Sequence, residues 1–402
     1  MPLLAIVASG CPSRPVDDAG LDVTDVMNVA DAPTDTLPPR SWCDLPGTEP
    51  RGILVPRGFC ARVFATVQHA RVIRFAPGGE LFVASPNRDT AGYGGAGPDA
   101  PRIAIVPDDD HDGRGDTVLT FINDAQAAHA LLFADDSLYY SLGTQILRMP
   151  YRAGQRTAEP ATVVANLTDY QSFLHWPHTI DRADDGTLYV SRGGDEVFNC
   201  PTPRPTRGAV VALDGTLQGR VVMRGLRNPM YLRCHHGFGH CYTNELTGDF
   251  WDEEGGTEKL IPIRDGDDWG YPCCIERGRS IPEASPPADC SFVPDPTVSI
   301  PLHDTPFGLD WEPARWPAPW TGRLFIALHG AFNTWRGARI TTVASDPMTG
   351  APTVSSPPLD FSWGWDDGSL AHGRPSDVAF SPDGRLFVAN DITGEIIWIA
   401  PR

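Results

Sequence analysis

The sequence predicts an all-β protein: a six-bladed β-propeller preceded by a disordered acidic tether. Three observations carry this reading. A turn followed by a short β-prone strand recurs six times, with marker residues Leu81, Leu138, Leu188, Cys241, Leu324 and Leu386 spaced 57, 50, 53, 83 and 62 residues apart. Repeats of roughly that length, built from four strands each, are the pattern of propeller blades. Gly and Pro contribute 40 residues each to a chain of 402, so it is rich in turns, and no stretch shows a convincing amphipathic helical period. A pair of β-sandwiches is the alternative, and it explains the regular spacing less well.

The elements follow in order. Residues 1–11 form an apolar run ending in Ala8, Ser9, Gly10 and Cys11. This resembles a bacterial lipoprotein signal in which Cys11 becomes the acylated N-terminus, although the run is short and has no basic start. Residues 12–45 are rich in Asp, Pro, Thr and Ala and read as an acidic linker without a core of their own. The propeller is expected over 50–402. Its repeat units are Phe75–Ala84, Phe133–Ser141, Ala183–Ser191, a degraded copy at Gly237–Asn244, Thr321–Ala327 and Phe380–Ala389. The third is the most complete: Asp185 and Gly186 supply the turn, and Leu188, Tyr189 and Val190 the half-buried strand. Gln145–Met149, Ala209–Leu213 and Glu395–Ile399 read as further strands. The 83-residue gap is expected to hold a long insertion between blades four and five.

Composition narrows the function. The net charge is −19, with 31 Arg and a single Lys, Lys259. An acidic chain without a basic stripe excludes a nucleic-acid partner, because phosphate binding needs a positive surface. Nine cysteines become eight once Cys11 is set aside, an even set suited to four disulfides in an oxidising compartment. Cys234 with Cys241 would close a hairpin, and Cys43 with Cys60 would pin the N-terminal segment. Apart from the N-terminal run, no segment is apolar enough to span a membrane, so contact with one is expected only through a lipid on Cys11.

Several residues are candidates for chemistry. Asp108, Asp110 and Asp112 alternate ahead of Gly113, the front of a DxDxDG calcium loop, and Asp116 is a further candidate ligand. The Glu that closes an EF-hand loop is absent, and a solvated acidic turn is the plainer reading. His175 and His178 lie just before the third repeat unit. A histidine in a loop at a propeller's axis is suited to general-base work, its ordinary pKa being near neutrality. Arg227 and Asn228 open the fourth blade and offer a guanidinium fork beside an amide, suited to carboxylate or quinone oxygens. Arg374 precedes the sixth blade as His175 precedes the third. Radial repetition gathers such loops at one mouth, so His175, Arg227 and Arg374 are expected to face one anionic ligand.

These pieces together resemble the pyrroloquinoline-quinone (PQQ) dependent sugar dehydrogenases of the soluble glucose dehydrogenase and L-sorbosone dehydrogenase type. The resemblance runs from about residue 60 to the C-terminus. It rests on Leu174–Trp176 with the hairpin after it, Gly225–Pro229, Asn244–Glu245, Trp269–Pro272, Leu328–Asn333 and Gly373–Asp377. It implies oxidation of a sugar or polyol hydroxyl, with PQQ over the channel and calcium polarising the quinone. His175 falls on the family's base. Arg227, Asn228 and Arg374 fall on cofactor contacts. Leu246 and Thr247 fall where backbone carbonyls bind the cofactor's calcium, with Glu258 near an acidic residue of the same loop. His329 stands where glucose dehydrogenases have a cofactor-contacting Lys, and Arg336 lies close to the position of a sorbosone-type Arg that is Thr334 here. His178 and Ser376 also replace family arginines. The implied partners are a small-molecule sugar and an external electron acceptor that the motifs do not specify. The implied location is secreted, in a bacterial cell envelope or periplasm. Two other classes stay open: a propeller that binds without PQQ, and a calcium-dependent lactonase.

Overall fold

The computed structural model describes residues 41–402, apart from 87, 90–91, 94–99, 168–174, 176–177, 195–199, 201–206, 249–250, 252–255, 332–333, 335, 354–356 and 367–371. The expected signal and most of the tether therefore lie outside the described residues. What is described is all-β: six four-stranded antiparallel sheets and two small hairpins, with a single 3-10 turn at Trp42–Asp44.

Each sheet is one blade. Blade one is Val72–Phe75, Leu81–Ser85, Arg102–Val106 and Leu119–Asn123; blade two is Leu131–Ala134, Ser137–Leu142, Gln145–Pro150 and Thr162–Asn166. Blade three is Ile180–Arg182, Leu188–Arg192, Ala209–Ala212 and Arg220–Met223; blade four is Asn228–His235, His240–Leu246, Thr257–Pro262 and Val298–Pro301. Blade five is Pro306–Trp311, Leu324–Leu328, Arg339–Val343 and Leu359–Ser362. Blade six is Pro375–Phe380, Leu386–Asn390 and Glu395–Pro401, completed by the N-terminal strand Phe59–Thr66. All six marker residues fall on the second strand of their blade. First strands of neighbouring blades pack on one another all the way round, blade six against blade one included. Borrowing an N-terminal strand for the last blade removes the open edge that a linear array would leave.

Carboxylates join the first strands, Asp181 and Asp377 buried and Asp310 half-buried. Asp181 of blade three accepts from the backbone N–H of Cys234 in blade four at 2.9 Å. Asp310 of blade five accepts from Phe380 N–H in blade six at 2.8 Å. Asp377 of blade six accepts from Ile73 N–H in blade one at 2.9 Å and pairs with Arg74 at 2.6 Å. Within and between blades one, two, five and six much of the packing is aromatic, while blades two to four meet through aliphatic side chains such as Leu132, Ile180, Val190 and Leu232. Phe82 meets Phe121, Phe133 and Tyr151 edge-on, and Phe361 meets Phe59, Trp320 and Phe325 the same way.

All eight cysteines from 43 onwards are paired: Cys43–Cys60, Cys200–Cys273, Cys234–Cys241 and Cys274–Cys290. Two of these are the expected pairs. The long insertion is not between blades four and five. It is residues 263–297, inside blade four between its third and fourth strands. A segment this long needs support of its own, and it has a short hairpin (Cys274–Glu276 with Arg279–Ser280) and both of the remaining disulfides. Among the described residues no helix is long and apolar enough to cross a membrane.

Candidate functional site

Antiparallel alternation sets the end from which each loop leaves. First strands begin, and second strands end, at the end called here the mouth; turns between first and second strands, and loops between third and fourth, leave from the opposite end. The long blade-four insertion nevertheless reaches back to the mouth, where Tyr271 N–H donates to Gly225 O at 2.9 Å and Cys273 is joined to Cys200. His175, Arg227, Asn228, Leu246, Thr247, His329 and Arg374 all belong to the mouth. Asp108, Asp110, Asp112 and Asp116, between the third and fourth strands of blade one, belong to the opposite end.

His175 is buried, and its Nδ1 lies 3.1 Å from the carbonyl oxygen of Gly194. A neutral ring there donates from Nδ1 and keeps Nε2 as the basic nitrogen. Gly193 permits the approach: a Cβ at that position would stand 2.2 Å from the His175 carbonyl oxygen. Burial, then the charges of Arg227 and Arg207, bring the His175 pKa down to about 3 against the pull of the Gly194 bond. His178 lies deeper, with Nδ1 3.2 Å from Ser191 O, and burial brings it down to about 4. Both rings are therefore neutral at pH 7.

Arg227 and Asn228 enter blade four together. Their backbone N–H groups donate to the two carboxylate oxygens of buried Glu245, at 2.5 and 3.2 Å. The Arg227 carbonyl in turn accepts from Gly194 N–H at 2.6 Å, which ties the pair to the loop holding His175. Buried Asn228 Oδ1 has no hydrogen-bond partner among the described residues. Beside them, Thr247 N–H donates to Glu258 at 2.9 Å and Thr247 Oγ1 donates to the carbonyl of Thr257 at 2.9 Å, which fixes the Leu246–Thr247 turn.

Across the mouth, Asp391 is the hub of a second cluster. Its carboxylate meets Arg71 at 3.0 Å, Arg374 at 2.6 Å and His329 Nε2 at 3.1 Å. Burial opposes ionisation of Asp391, yet Arg71, His329 and Arg374 hold it well below the usual carboxylate range. Burial and then Arg374 bring His329 down to about 3, so it is neutral and donates to Asp391; its ring stacks on Phe307 at 3.9 Å. Arg336 is exposed on the loop beyond His329, and Asn333 lies outside the described residues.

Sequence reasoning missed several of these residues. Arg71 stands at the entrance to blade one as Arg227 and Arg374 do in blades four and six, so the radial argument applied to every blade would have found it. Arg192 and Arg207, both buried, add to the positive charge on the His175 side. Asp391 and Glu245 had no role assigned, because what they do is hold other residues.

At the opposite end, one oxygen each from Asp108, Asp110 and Asp112 lie within 4.8 Å of one another. Both oxygens of Asp108 are buried without a hydrogen-bond partner, and burial pushes its pKa up despite Arg385 at 3.8 Å. Asp116 stands apart from this trio: its carboxylate accepts from Asp109 N–H at 2.7 Å.

The fold and the mouth together define a class: a six-bladed propeller with a neutral buried histidine among buried arginines at one end of its channel. Solved structures share that fold. They include the holo PQQ domain of pyranose dehydrogenase from Coprinopsis cinerea (TM-score 0.71, 19% identity, covering 89% of this chain and 98% of that one). A family AA12 carbohydrate-active enzyme from Trichoderma reesei gives 0.71 at 19%, covering 89% and 100%. The soluble aldose sugar dehydrogenase of Escherichia coli gives 0.60 at 17%, covering 86% and 100%. No protein-family model and no curated protein matches the chain. At these identities the likeness is one of fold.

Proposed function

We propose that the chain is a PQQ- and calcium-dependent dehydrogenase of a sugar or polyol hydroxyl, with His175 as the base. The observation that carries this is the buried neutral His175, its tautomer set by Gly194, beside the Arg227–Asn228 pair. The donor set suits the group. PQQ is a tricarboxylate, and Arg71, Arg227 and Arg374 offer the charged forks that bind carboxylates. Asn228 Oδ1 is a buried acceptor awaiting a donor. Neutral His329 would line the same site, and Arg336 would approach from the rim. Leu246 and Thr247 would hold the cofactor's calcium through backbone carbonyls. When bound, PQQ supplies a hydride acceptor and calcium a Lewis acid.

The rest falls to the chain. His175 Nε2 takes the proton of the substrate hydroxyl while Gly194 keeps the ring oriented. A pKa of about 3 makes a weak base. Burial is the larger cause of that lowering; anionic ligand charge beside Arg227 and Arg207 would offset the two guanidiniums and raise His175 by their share of it. Asp108, Asp110 and Asp112 would hold a separate structural calcium at the far end. Four disulfides fit a secreted or periplasmic protein. Cys11 is then the proposed lipid anchor in a bacterial cell envelope, and the electron acceptor a separate partner.

The test is reconstitution. Calcium alone should raise the Tm of the apoprotein through the aspartate trio, and Asp110→Asn should remove that rise. PQQ with calcium should then give a quinone absorption band and dye reduction with an aldose. No band and no dye reduction would favour a binding module without cofactor. Turnover of lactones without PQQ would favour the lactonase. An unchanged Tm with calcium would dismiss the aspartate site.

A further inference from the structure

We infer that Glu245, with Lys259 beside it, is the positioning residue for the Arg227–Asn228 pair, and that it sets how tightly the mouth holds its anionic ligand. The inference rests on the proposed cofactor role of that pair. Four observations carry it.

The first is the state of the ladder where blade four begins. Pro229 stands opposite Glu245 in the register and has no N–H to donate, and the register shifts between Pro229 and Tyr231. The first strand is thus weakly held by its neighbour where the pair sits. The second is the substitute for that ladder. The Glu245 carboxylate takes the N–H of Arg227 with one oxygen and that of Asn228 with the other, at 2.5 and 3.2 Å. Buried hydrogen bonds to a carboxylate are the strong kind, and two of them fix both position and direction.

The third is the counter-charge. Lys259 is the cross-strand neighbour of Glu245 on the third strand, and it is the chain's one lysine against 31 arginines. It is buried, and Nζ donates to the carbonyl of Thr257 at 2.9 Å. A compact ammonium balances a carboxylate here without a guanidinium's width. The fourth is continuity with the base. The Arg227 carbonyl accepts from Gly194 N–H at 2.6 Å, and Gly194 O lies 3.1 Å from His175 Nδ1. A shift of the Arg227 backbone therefore reaches the ring as well.

Glutamine is the informative replacement. Its amide oxygen can accept from one of the two N–H groups, while its NH2 faces the other donor-to-donor. The experiment titrates the full-length apoprotein with PQQ at saturating calcium, following absorbance, and records the Tm of each variant without PQQ. Glu245→Gln should weaken PQQ binding by about tenfold or more. In a background carrying both Arg227→Ala and Asn228→Ala the same substitution should cost less than about threefold, because a residue acting through the side chains of that pair has little left to position. A purely structural glutamate would cost the same in both backgrounds. Should Glu245→Gln not fold, Glu245→Asp decides: it keeps the charge, shortens the reach, and should give an intermediate loss with the same non-additivity. Equal affinity in Glu245→Gln and wild type, or equal losses in the two backgrounds, overturns the inference alone. Wild-type protein that takes up no PQQ overturns the cofactor reading, and the affinity role of Glu245 with it.

Discussion

The mouth and the channel wall beneath it use the same residue types for opposite ends. In the wall, carboxylates face backbone and arginine across blade boundaries: Asp181 to Cys234, Asp310 to Phe380, Asp377 to Ile73 and Arg74. At the mouth the same kinds of contact aim side chains. Glu245 holds the backbone that presents Arg227 and Asn228, and Asp391 orients Arg71, Arg374 and His329. In the wall a broken contact should therefore cost stability. At the mouth it should cost ligand affinity.

The largest expected effect that separates the two regions is at Asp377. It is fully buried and closes the ring between blades six and one. Asp377→Ala leaves Arg74 buried without its partner, so urea unfolding should show a loss of about 3–5 kcal/mol. PQQ affinity of the folded fraction should stay within about threefold of wild type. A loss below about 1 kcal/mol, or a collapse in affinity at unchanged stability, would erase the division.

A smaller, graded effect is expected from pH. Burial lowers His175 and His329 to about 3 and His178 to about 4, and puts His129 well below its ordinary value. Each is neutral in the folded chain, while its unfolded counterpart takes a proton near pH 6.5. Their contribution to stability is complete above pH 6.5 and is lost as pH falls towards 3–4. The slope is about 1.4 kcal/mol per pH unit for each histidine. Burial raises Glu245, which works in the opposite direction as pH falls and offsets part of this. Tm should therefore drop between pH 7 and 5, and His178→Gln should flatten the drop by one histidine's share. A flat profile would show that these rings are not held neutral.

Much of the fold was legible because a blade is a local object. A turn at Asp185–Gly186 followed by Leu188, Tyr189 and Val190 declares itself within ten residues, and five other copies set the blade number. The insertion was placed at the wrong boundary because an 83-residue gap does not say which strands it separates. Cys274 and Cys290 inside the gap were the available hint, since a disulfide closed within the gap marks a loop with support of its own, whereas Cys273 reaches back to Cys200 beside blade three. The site was half legible. His175, Arg227 and Arg374 follow from radial equivalence. Arg71 sits in a stretch with no motif; only its place before the first strand of blade one marks it, and its 3.0 Å approach to Asp391, 320 residues away in sequence, shows what it does there. Contacts of that kind, like Arg74 with Asp377, belong to closure of the ring and leave no local pattern. Asp116 shows the converse: spacing made it a candidate ligand, while the turn gives its carboxylate to Asp109 N–H.

The central claim is that His175 performs the proton transfer at a mouth that binds PQQ. His175→Gln, reconstituted with PQQ and calcium, tests it most directly through two readings on one sample. The account predicts a quinone band and PQQ affinity close to wild type, with sugar-dependent dye reduction down by about 10²–10⁴-fold. A variant that binds PQQ and turns over sugar at the wild-type rate would contradict it.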